Sequence, residues 1–258
     1  MERDLAGGSD VGADPERDLG DEPPPAWRVA PPDLLSPIDP NAPVSGHVVS
    51  PPILAASEAP EHDWAAGQVL VHPVLKPVGT SGASFDDLRA GLSTAPGKSH
   101  AQPILAEGPC GLLVGYAIPA AGFDVLVNGE HLLSWGVGPD EVHAAAMRNL
   151  AAWSAGAAWT DEVSGNRRLL SSDTGDGWDA SRILLPEVRA HLGEELGGRV
   201  LVGLPERHLL LAGSLMPDDE EFAILFRDFV VEHSGDADEP IDRRIFELRG
   251  GELVEFAG

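Results

Sequence analysis

The stretch "DGWDASRILLP", residues 176–186, holds two acids around a Gly-Trp pair and then leads one basic residue into an apolar run. Asp and Ser ahead of apolar residues are the usual chemistry of a helix start. The sequence therefore predicts that Asp179 or Asp176 caps a helix, with Ser181 sharing the role. Gly177 permits a tight bend, Trp178 lies over the core, and Arg182 pairs with an acid. A second reading makes the same residues a ligand site, in which helix-start amides, Ser181 and Arg182 receive an anionic group. The two neighbouring acids argue against an anion, so the helix start is the preferred reading.

Outward from that stretch, the spacing sets a series of elements. Leu184, Val188, Leu192 and Leu196 recur every four residues and predict a helix running to Gly197, restarted at Pro186. "NRRLLSSDT" ahead of the stretch reads as a strand. "RVLVGL" and "HLLLAGS" flank "PER" and read as a hairpin. In "PDDEEFAILFRDFVVEHSG", Phe222, Leu225, Phe226, Phe229 and Val230 form one stripe behind four acids, Asp218 to Glu221, at the positive helix pole. "RIFEL" and "ELVEF" close the chain as a hairpin through Gly250 and Gly251.

Towards the N-terminus, "QVLVHPVLKP" from Gln68 reads as a strand whose Pro73 implies an edge or a bulge. A short helix spans Phe85 to Arg89. "GLLVGYAIP" and "FDVLV" are two strands joined by an "AAG" turn, and Asn128 caps a helix that Gly136 ends. Pro139 opens another, whose Val142, Ala145, Ala146, Leu150 and Trp153 share a face. Asn149 on that helix is placed to fasten it to a neighbouring strand. Hairpins interspersed with helices, without strict strand–helix alternation, define an α+β chain with helices packed on an antiparallel or mixed sheet.

Residues 1–65 read differently. Twelve of the 23 prolines lie between Pro15 and Pro60, and acids are in excess. Neither helix nor sheet propagates through such a segment, so a disordered, acidic, proline-rich arm is expected before a single domain over residues 66–258.

The 258 residues carry 42 acids against 17 bases, a formal charge of −25. That field repels nucleic acid and anionic membrane and suits basic partners or divalent cations. With lysine only at Lys76 and Lys98 and with abundant Ala and Gly, it equally fits adaptation to salt or a GC-rich genome. One cysteine, Cys110, allows no intrachain disulfide. "MERDLAGGSD" lacks the basic start and apolar run of a secretory signal, and no window reaches a membrane span. A cytoplasmic protein is expected.

Four segments, "VHPVLKP", "FDVLVNGEHLLSWGVGPDEVHAAAMRNL", "DGWDASRIL" and "VLVGLPERHLLLAGS", together resemble the YtpQ-like family of uncharacterised bacterial proteins from about Gln68 to Phe256. The third is the most specific. The family tends to carry an aspartate after the proline turn, where this chain has His208. The resemblance implies an intracellular bacterial protein and no particular activity.

No catalytic motif stands out. Asp173, Asp176 and Asp179, and separately Asp236, Asp238, Glu239 and Asp242, lack the alternation of a calcium loop. His143, His191, His208 and His233 are too scattered for a zinc motif. Cys110 has no neighbouring cation or histidine in sequence, and no G-x-S-x-G elbow or phosphate loop occurs. No metal or cofactor is expected. The leading functional expectation is a non-catalytic module binding a protein or small ligand around Asp176, Trp178, Asp179, Ser181 and Arg182 and the turn carrying Arg207 and His208. The alternatives are a hydrolase or transferase whose acids and histidines only the fold assembles, and an acidic partner of a basic protein.

Overall fold

The structure is a computed structural model that describes residues 60–91, 100–120 and 123–257. Most of the proline-rich arm lies outside them. Pro60 to Ala65, assigned to the arm by sequence, belong to the folded part. A 3-10 turn at Pro60–His62 precedes helix α1 (Trp64–Gly67), Asp63 caps that helix, and Trp64 packs on Trp135 at 5.3 Å.

The fold is α+β, with two sheets around a shared core. In the first, β4 (Leu113–Ala120) is central and pairs antiparallel along one side with β1 (His72–Lys76). On its other side β3 (Ile104–Glu107) and β5 (Phe123–Leu126) lie end to end, and β2 (Ala83–Ser84) extends β3 in parallel. Pro73 lacks an N–H, and β1 is indeed an edge strand. Helix α2 (Phe85–Ala90) opens with a reciprocal Ser84–Asp87 capping box.

Asn128 caps α3 (Gly129–Trp135), and Gly136 ends it in the left-handed region. In α4 (Pro139–Ser154) the predicted stripe of Val142, Ala145, Ala146 and Leu150 is buried. Asn149 Nδ2 donates to the carbonyls of Gln68 and Val71 at 3.0 and 2.7 Å, which fastens α4 to the chain entering β1.

The second sheet has six antiparallel strands in the order β11-β10-β8-β9-β7-β6. They are β6 (Thr160–Ser164), β7 (Arg167–Ser172), β8 (Arg199–Glu206), β9 (Leu209–Leu215), β10 (Ile245–Arg249) and β11 (Glu252–Glu255). Side-chain alternation gives it two apolar faces. Val200, Val202, Leu210, Ala212 and Phe246 join Ile104, Tyr116, Ile118 and Leu150 in the core shared with the first sheet and α5 (Pro186–Leu196). Leu201, Leu211, Leu215 and Ile245 face α6 (Glu220–Asp236) instead. The helix approaches closely because Gly203 and Gly213 line its track. A Cβ on either glycine would lie 2.5 Å from Val230 or 2.6 Å from Phe222.

Three features depart from expectation. β6 is exposed at every position and has no apolar alternation, so its sequence gave no strand signal. β3 falls in a stretch that had no assignment. The β8–β9 turn is Arg207-His208 alone, with Pro205 inside β8, where a register irregularity follows Gly203.

Candidate functional site

Residues 173–185 run from β7 to α5 and lie against β1 and β9, one strand of each sheet. After β7 the chain bends at Asp176, whose carboxylate accepts from the Trp178 amide at 2.9 Å, and turns at Gly177 with φ +82°. Trp178 enters the core, stacked on Trp153 at 4.1 Å and beside His72 at 5.1 Å. A 3-10 turn, Ala180–Leu184, follows, and α5 begins at Pro186 as the sequence predicted.

Asp179 is not the cap. It sits at the start of the 3-10 turn with helical φ and ψ, and its side chain makes no capping bond. Its Oδ1 instead accepts from Ser172 Oγ at 2.7 Å, from the Thr174 amide at 3.0 Å and from Arg182 at 2.5 Å. Arg182, the largest fully buried side chain, also pairs with Asp176. Ser181 does not cap either. Its Oγ accepts from the Leu75 amide at 3.2 Å, which satisfies a donor on the open edge of β1.

The stretch is thus a closed internal network. Asp179 is fully buried, and Trp178, Ser181 and Arg182 are between 1% and 3% exposed. As a contact surface, Asp176 to Arg182 is corrected: the acids that argued against an anion occupy the guanidinium, and the chain folds inward around the pair.

Arg207 and His208 form the β8–β9 turn. Arg207 reaches back to the linker, its Nε donating to the Gly177 carbonyl at 2.8 Å. Another arm pairs with Asp124 on β5, and the third reaches Glu239 at 3.2 Å. A Cβ on Gly177 would come within 3.2–3.4 Å of Arg207 and His208, so linker and turn are packed in contact.

Burial pushes Asp124 up, but His72, with Nε2 3.7 Å away, and the Arg207 guanidinium outweigh it and hold the carboxyl at about 2. Burial likewise opposes the Arg207 charge, and Asp124 and Glu239 more than restore it.

His208, its ring beside the same Gly177, also lines an open cleft of about 390 Å³ between the β8–β9 turn, the end of α6 and the segment after it. Five carboxylates, Glu206, Glu232, Asp236, Asp238 and Glu239, line it together with His208 and His233. Among the described residues only Glu239 of these five enters an ion pair, the one with Arg207. The C-terminal end of α6, the negative pole of its dipole, opens on the same space.

The cleft can hold a positive group. Of the predicted site residues, His208 alone lines it. Glu239, Asp236 and Asp238 were visible in sequence only as acids of a loop, and Asp124 gave no signal.

The other candidates are engaged elsewhere. Among the described residues no three of His, Cys, Asp and Glu converge to hold a metal. Asp242 pairs with Arg244, and His143 Nδ1 meets the Tyr116 hydroxyl at 2.7 Å. Cys110 stands at φ +53° and donates its thiol to the Leu253 carbonyl at 3.2 Å, while burial pushes the thiol up, away from a nucleophile's range.

No family model, curated protein or solved structure matches this chain. Among the described residues no helix is long and apolar enough to cross a membrane.

Proposed function

We propose that this chain is a non-catalytic binding protein whose acidic cleft beside His208 receives a basic side chain of a partner protein. The observation that carries the reading is the convergence of five carboxylates and a helix C-terminus on one open cleft. A lysine or arginine head entering it meets unpaired carboxylates, and its stem has Ala237 to lie against. The formal charge of −25 adds a long-range field that speeds encounter with a basic surface.

Asp176 is spent in an ion pair outside the cleft, and Arg207 is held by Asp124 outside it and meets only Glu239 of its lining, which favours a binder over an enzyme built from those residues. The test is titration with a tri-lysine peptide at low ionic strength, followed through the ring resonances of His208 and His233. Both should shift, less so in Glu232→Gln/Asp236→Asn, and the shifts should fade as salt rises towards about 0.5 M, where screening shortens to a few ångströms. Unmoved resonances at low salt would refute it.

A further inference from the structure

We infer that Arg207 is a built-in competitor for the cleft, held at its rim by Asp124 so that a basic ligand can displace it from Glu239. The inference rests on the cleft being a cation site, as proposed above, and adds how that site is regulated.

The three arms of the guanidinium are held unequally. Nε is bound to the Gly177 carbonyl at 2.8 Å, and one terminal nitrogen is paired with Asp124. Arg207 and Asp124 are 15% and 20% exposed, so solvent screens that pair only partly. The remaining nitrogen meets Glu239 at 3.2 Å, and Glu239 is 49% exposed. This last contact is the longest and wettest of the three and is therefore the weakest.

A ligand cation that claims Glu239 need break only that contact. The Arg207 charge stays balanced by Asp124, a carboxylate that remains ionised down to about pH 2. Asp124, on the other sheet, thus sets how strongly the internal guanidinium competes: without it, Glu239 is the one carboxylate left in contact with Arg207.

Affinity for tri-lysine, measured by calorimetry with melting temperatures taken alongside, tests this. Asp124→Asn should weaken binding about two- to fivefold, the scale of one partly screened ion pair. In a Glu239→Gln background the same change should have little effect, because the contact it strengthens is gone. Additive effects in that cycle would overturn the inference. Should Asp124→Asn fail to fold, Arg207→Lys serves, since a lysine head cannot span three partners. It should bind tri-lysine about two- to fivefold more tightly, and unchanged or weaker binding would overturn the inference. If the unaltered protein bound no tri-lysine, the cleft reading would fail and take this inference with it. If it bound but the cycle were additive, only the inference would fail.

Discussion

Asp179 and Arg182 face each other at 2.5 Å, three residues apart, with the aspartate side chain fully buried and the arginine 1% exposed. Around them Ser172, Thr174 and Asp176 supply further hydrogen bonds, yet Asp179 Oδ2 and Arg182 Nε have no hydrogen-bond partner among the described residues. A pair this deep costs much to desolvate. It is held in place by the packing of both sheets against the linker.

Removing Asp179 leaves the buried guanidinium with Asp176 as its one carboxylate and leaves the Ser172 hydroxyl and the Thr174 amide without their acceptor. Asp179→Ala should lower unfolding free energy by about 3–5 kcal/mol. A lost helix cap would cost about 1 kcal/mol. Urea unfolding separates the two, and a loss near the smaller figure would return Asp179 to a capping role. The triple change Asp176→Asn/Asp179→Leu/Arg182→Met, which removes all three charges of the network, should recover most of the loss.

Gly177 combines φ +82° with the nearness of Arg207 and His208. Gly177→Ala should cost about 1–3 kcal/mol, from the left-handed backbone and the displaced side chains together. Because Arg207 bonds the Gly177 carbonyl, the substitution should also move the His208 ring resonance. A stable variant with an unmoved His208 would show that the linker does not brace the turn.

Acid should unfold the protein through two identifiable carboxylates. Asp124 falls from 3.8 to about 2 on folding, and Glu247 falls from 4.5 to about 2 through Arg199 and Arg249. Both values are depressed, so their contribution is complete above about pH 4.5 and is lost as pH falls towards 2. Denaturant midpoints measured between those limits should fall more gently for Asp124→Asn than for the unaltered protein. Parallel curves would remove Asp124 from the account.

Asn149 donates to two backbone carbonyls, of Gln68 and Val71, from within α4. Asn149→Ala should cost about 1–3 kcal/mol and raise amide exchange around residues 68–72 ahead of the rest of the molecule. Uniform exchange would mean that α4 is held by its apolar face alone.

Much of the architecture was legible because apolar periodicity is local. The stripe in α4, the restart at Pro186 and the closing hairpin each follow from residues within a few positions of one another. Where periodicity is absent, as in the fully exposed β6, the strand went unseen. Its Asp161 and Glu162 give that edge the charge that discourages a further strand from pairing.

The charged residues behaved otherwise. The sequence by itself determined that Gly177 turns, that Trp178 is buried and that Arg182 meets an acid, since those outcomes depend on neighbours in the chain. Only the tertiary structure decided that Asp179 is an ion-pair partner, that Ser181 serves β1, and that Arg207 stands between Asp124 and Glu239. Arg207 is 83 residues from Asp124 and 32 from Glu239. Apolar residues need only an interior, whereas a charge takes whichever partner the finished fold brings within a few ångströms.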